Sequence, residues 1–113
     1  MIIDNDMKIL ITGGCGFIGS NIAIFLKNKI NKLTIHSLDN LSRNSSKINL
    51  NRLKKHKIKN FNINICDKSK IELLKRYDFI IDCCAEAAVE ASKLDSERVF
   101  FTNLVGTFNI LEK

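Results

Sequence analysis

Short runs of β-branched and leucine residues alternate along this chain with stretches whose apolar positions return every three or four residues. The first run, Lys8-Ile-Leu-Ile-Thr12, ends at glycines and reads as a strand buried on both faces. From Phe17 onward, Ile18, Ile22, Phe25 and Leu26 recur at helical spacing, which predicts a helix to about Lys29. Leu33 to Leu38 reads as a second strand, and Ser46 to Lys55 as a basic helix with Ile48, Leu50 and Leu53 as its apolar positions. Phe61-Asn-Ile-Asn-Ile65 alternates and predicts a third strand; Ile71, Leu73 and Leu74 mark a short helix, and Asp78 to Cys84 a fourth strand. A long helix is expected from about Ser96 to the end, with Val99, Phe100, Leu104, Phe108 and Leu111 along one side. Strands and helices in strict alternation imply an α/β domain, a parallel sheet covered by helices on both faces.

Composition adds limits rather than direction. The chain has 113 residues, 45% hydrophobic and 27% charged, enough for one domain with a single core over residues 1–113. No apolar run approaches the roughly 18–20 residues of a membrane helix, so no membrane partner is expected. Acids near the N-terminus (Asp4 and Asp6) stand where a signal peptide would carry basic residues, and the expected location is the cytoplasm. Cys15, Cys66, Cys83 and Cys84 form no Cys-x-x-Cys pair; four reduced and mostly buried thiols are expected, with no metal. The adjacent Cys83 and Cys84 should face opposite sides of a strand. The net charge of +6 is concentrated: Arg43, Lys47, Arg52, Lys54, Lys55, Lys57 and Lys59 fall between Asn40 and Cys66 with no acid among them. With one aromatic residue there, Phe61, and no nucleic-acid motif, this stretch reads as a solvated helix face and no nucleic-acid partner is expected.

The segment Lys8-Ile-Leu-Ile-Thr-Gly-Gly-Cys-Gly-Phe-Ile-Gly-Ser-Asn21 carries the chemistry. Gly13, Gly16 and Gly19 are spaced Gly-x-x-Gly-x-x-Gly between a strand and a helix. The first glycine permits the tight turn, the second lets backbone approach a pyrophosphate, and the third lets the helix pack close to the strand. Phosphates would then meet the free N–H groups around Phe17 and Ile18 and the positive end of the helix dipole. Asp39 lies 20 residues after Gly19, at the end of the second strand, where a carboxylate accepts bonds from the adenosine ribose hydroxyls. It would repel the 2′-phosphate of NADP, so NAD is the expected cofactor; Arg43, four residues on, is the residue that could accommodate that phosphate. The fold so described is the N-terminal part of a Rossmann-type domain.

Thr12-Gly-Gly-Cys-Gly-Phe-Ile-Gly-Ser-Asn21 followed by Leu38-Asp-Asn-Leu-Ser-Arg43 resembles the extended short-chain dehydrogenase/reductase family of nucleotide-sugar epimerases and dehydratases. The resemblance runs from about Met7 to Lys113. It implies cofactor contacts at Asn40, Ser42 and Arg43, and at Asp67, which matches the family acid that caps the adenine pocket. Asp82-Cys83-Cys84-Ala85-Glu86 stands where the family has a small-residue turn beside the nicotinamide ribose. Thr102-Asn-Leu-Val-Gly-Thr107 matches its Asn-x-x-Gly-Thr motif, in which Asn103 would support the cofactor-side backbone. Among the branches, these motifs look most like the CDP-paratose 2-epimerases. Cys66 replaces the glycine usual before Asp67, and Lys68 an apolar residue beside adenine. The resemblance further implies a nucleotide-sugar substrate and homodimers formed through helices of this domain.

The family's catalytic Tyr-x-x-x-Lys is absent: the single tyrosine, Tyr77, is followed four residues later by Ile81. Tyr77 is therefore expected to be structural. The apolar pattern reaches Lys113 without a Gly or Pro stop, so the chain is expected to be the N-terminal part of a longer enzyme, inactive by itself. A stand-alone NAD-binding module is the alternative.

Overall fold

A computed structural model describes residues 6–85 and 93–113. Four strands form one parallel sheet in the order β3-β2-β1-β4, with β1 Lys8–Thr12, β2 Thr34–Leu38, β3 Lys59–Phe61 and β4 Phe79–Asp82. Helices α1 (Phe17–Lys29), α2 (Ser46–Lys55) and α3 (Lys68–Glu72) follow the first three strands. The last helical stretch runs as α4 (Ser96–Phe100), a π-helical segment (Phe101–Gly106) and α5 (Thr107–Leu111). No helix of the described residues is long and apolar enough to cross a membrane.

The apolar run of β1 is continuous because both of its faces are covered. Ile9 and Ile11 pack with Ala23 of α1, Leu53 of α2 and Ile35 of β2. Leu10 lies on the other face with Leu38, Ile65, Ile71 of α3 and Ile110 of α5. Cys83 joins the first cluster and Cys84 the second, as their adjacency in an extended chain requires. Of the four free thiols only Cys15 is buried; the other three are half-buried, fewer than expected.

The third strand differs from its expected span. The ladder on β2 pairs His36 with Lys59 and Leu38 with Phe61, and the Asp39 N–H to Phe61 carbonyl bond (3.1 Å) closes it. Since β2 ends at Leu38, residues 62–65 have no strand beside them. Their alternation persists because Ile65 still faces the core while the backbone turns away.

The last helix also differs. Its apolar stripe faces outward: Phe100, Leu104, Phe108 and Leu111 are 54%, 57%, 52% and 79% exposed, while Gly106, Asn109 and Ile110 face the core. The outward side includes Phe100, which precedes the π segment, as well as Phe108 and Leu111, which follow it. Leu73, expected on the apolar side of α3, lies beyond its end and is 85% exposed.

Candidate functional site

Chain direction determines where a ligand can sit. β1, β2 and β3 step outward in one direction and β4 returns to the other side of β1, so the strand order reverses at the carboxyl ends of β1 and β4. Open α/β sheets hold their ligands in that crevice. A cavity of about 480 Å³ lies there.

Its floor is the turn between β1 and α1. Gly13 N–H donates to the Leu38 carbonyl (2.8 Å) and Gly16 N–H to the Gly13 carbonyl (3.0 Å), folding the chain back before α1 begins. Gly13 has φ +64°, a left-handed conformation that only glycine adopts without cost, and a Cβ there would stand 2.8 Å from the Cys83 carbonyl oxygen. Gly16 caps α1 in an extended conformation with no side-chain bond, so the first N–H groups of this 13-residue helix have no partner in the turn. Gly13, Gly16, Phe17, Ile18 and Gly19 all line the cavity.

One side wall is the end of β2. Asp39 is fixed by four bonds: Oδ2 accepts from Cys15 N–H (3.0 Å), Oδ1 from Leu41 N–H (2.8 Å), its carbonyl from Asn60 Nδ2 (3.1 Å), and its own N–H donates to Phe61. The acid therefore touches the glycine turn directly. Asn40, Ser42 and Arg43 complete this wall with Ser45 and Ser46. Burial first, and then the Asp39 charge, push the Cys15 thiol up to about 11, so it stays neutral beneath the turn.

The opposite wall is the end of β4, where Cys83, Cys84 and Ala85 line the cavity. The fully buried Thr12 hydroxyl organises it, donating to Asp82 Oδ1 and accepting from the N–H groups of Cys83 (3.1 Å) and Cys84 (3.3 Å). Asp82 Oδ2 also accepts from Thr107 Oγ1 (3.4 Å), tying α5 to the same strand end. Glu86 lies outside the described residues.

Twelve of the fifteen residues singled out in the sequence thus meet at one cavity, and two described ones do not. Asp67 is not on its wall. The carboxylate caps α3, taking bonds from Ser69 Oγ (2.8 Å) and Lys70 N–H (3.3 Å), which hold it below the usual carboxylate range. Asn103 is exposed and also off the wall. Asn109, on the same helical stretch, is buried, and its Nδ2 donates to the Ile65 carbonyl (3.0 Å). Arg98 and Thr102 line the cavity and were not singled out; they sit four residues apart, one helical turn, and that spacing was the available signal. Tyr77 is bonded to His36 Nδ1 (2.8 Å) and precedes β4, at the end of the sheet away from the cavity.

A parallel sheet with a glycine turn, an uncapped helix and an acid closing the next strand defines a dinucleotide-binding domain. The chain belongs to the NAD dependent epimerase/dehydratase family, whose model matches residues 9–113. It is 38% identical over 109 residues to dTDP-D-glucose 4,6-dehydratase of Dictyostelium discoideum, covering 93% of this chain and 25% of that protein. It is 36% identical to CDP-paratose 2-epimerase of Salmonella typhi over 112 residues, covering 94% and 32%. The solved dTDP-glucose 4,6-dehydratase of Bacillus anthracis, a complex with NAD, superposes with a TM-score of 0.75 at 28% identity, covering 94% of this chain and 33% of that one. The chain spans between a quarter and a third of the length of these relatives.

Proposed function

We propose that this chain holds NAD for a nucleotide-sugar epimerase or dehydratase: the pyrophosphate against the Gly13–Gly19 turn, the adenosine ribose on Asp39, and the nicotinamide end beside Cys83–Ala85. The observation that carries this reading is the Cys15 bond to Asp39, which brings the phosphate turn and the ribose acid to one wall of one cavity. The turn also fits the group by what it lacks, since a Cβ on Gly13 or Gly19 would fill the space where backbone closes. NAD supplies a transient hydride acceptor when bound. The residues here bind and orient it, and Thr12 sets the backbone of the nicotinamide wall. Family membership and the NAD complex of a structural relative support the cofactor. The dehydratase and CDP-paratose epimerase relatives support a nucleotide-sugar substrate for the whole enzyme.

Calorimetry with NAD and NADP tests the assignment. Asp39→Ala should weaken NAD by about 10- to 100-fold, the worth of a hydrogen bond to a charged group, and shrink the preference over NADP. An unchanged NAD/NADP ratio would remove the ribose role from Asp39. The outward stripe Phe100, Leu104, Phe108 and Leu111 supports pairing of two chains through the last helix. Sedimentation should then show a dimer that Leu104→Glu splits, and a monomer at high concentration would defeat that pairing.

A further inference from the structure

We propose that Asn49 and Arg52 of α2 are positioning residues for the phosphate turn, holding the Cys15 peptide in the orientation that NAD requires. This inference rests on the NAD reading of the cavity. Cys15 lies at the middle of the glycine turn, and its backbone is gripped on both sides. Its N–H donates to Asp39, and its carbonyl accepts from Asn49 Nδ2 at 2.9 Å. The Asn49 amide can present only its nitrogen to that carbonyl, because its own oxygen accepts from Arg52 NH1 at 2.9 Å. The same guanidinium reaches Ser20 Oγ (3.4 Å) and Asn21 Oδ1 (3.1 Å) in the first turns of α1. Asn49 and Arg52 are three residues apart and so share one face of α2.

One planar, always-charged group therefore fixes three acceptors, two of them on the helix whose N-terminus meets the phosphates. If the Cys15 carbonyl swung away, the adjoining Gly16 N–H would rotate with it, since the two share a peptide plane. That N–H closes the turn on Gly13 (3.0 Å). The turn's shape is thus set by α2 as well as by its glycines, and the ribose acid and phosphate floor are coupled through one residue, Cys15.

The informative variant is Asn49→Asp, which keeps an acceptor for Arg52 while losing the donor to Cys15. The 113-residue chain should stay folded, its melting temperature falling by no more than the about 4–8 °C that one lost hydrogen bond costs, and should bind NAD about three- to tenfold more weakly. The loss should persist in 0.5 M salt, where a merely repulsive charge would be screened. Asn49→Ala should lose NAD affinity to a similar degree, and Arg52→Lys, which can serve one acceptor but not three, should fall between wild type and Arg52→Ala. NAD affinity within twofold of wild type in folded Asn49→Asp and Asn49→Ala would overturn the inference and leave the NAD site standing. A wild-type chain with no NAD binding would overturn both.

Discussion

Gly19 offers the sharpest test of how the turn and α1 fit together. A Cβ at this position would stand 2.3 Å from the Gly13 carbonyl oxygen, 2.9 Å from its carbon and 3.0 Å from Gly14 Cα. All three are backbone atoms, so no side chain can swing aside to relieve the contact. An ordinary carbon–oxygen contact needs about 1 Å more. In Gly19→Ala the turn and the helix must therefore separate by roughly that distance. Overpacking of this kind costs about 1–3 kcal/mol. For a domain near 100 residues that is a fall in Tm of about 4–15 °C, short of unfolding at low temperature.

Binding should suffer more than stability. The Gly13 carbonyl accepts from Gly16 N–H, so displacing it moves the N–H groups proposed to hold the phosphates. A hydrogen bond to a charged group is worth about 1.5–3 kcal/mol, so losing a single one weakens NAD by about 10- to 100-fold. Thermal unfolding by circular dichroism and calorimetry with NAD at 10 °C measure the two effects on one preparation. A folded variant with a lowered Tm but unchanged NAD affinity would mean that the phosphates do not sit on this turn. An unchanged Tm would mean that the helix and turn are not in contact at Gly19.

Lys57 ends α2 in a left-handed conformation, φ +59°, with Lys57 N–H on the Lys54 carbonyl (3.1 Å) and Ile58 N–H on that of Leu53 (3.0 Å). Lys57→Gly should relieve about 1–2 kcal/mol of backbone strain against about 0.5–1 kcal/mol of added chain entropy. Urea and thermal unfolding should therefore show a gain of about 0.5–1 kcal/mol, and a lower Tm would contradict that balance. His36 is held below its ordinary pKa by burial and then by Lys59, Lys8 and Lys75. A depressed pKa means the fold favours the neutral ring, so its contribution is present above the unfolded value near 6.5 and is lost as pH falls below it. His36→Gln should flatten the decline of Tm between about pH 6.5 and 5, and parallel pH curves for the two proteins would rule this out.

What the sequence made legible here is what neighbouring residues decide. The glycine spacing, the continuous apolar run of β1 and the start of α1 are local, and they were read at the observed places. Asp39 was legible because a strand of fixed length carries it back to the turn. The end of β3 was not. Alternation at 61–65 reports which side of the chain meets the core, whereas a strand needs a neighbour, and β2 had already ended. The facing of the last helix failed for a related reason: periodicity lines Phe100, Leu104, Phe108 and Leu111 along one side, and does not say which neighbour that side meets. Asn49 and Arg52 left no local mark, because their bonds to the turn and α1 reach across more than thirty residues. A basic helix looked like a solvated face because most of its charges are one. The single arginine turned inward is distinguished by its partners, and those partners are brought together only when β1 and β2 lie side by side.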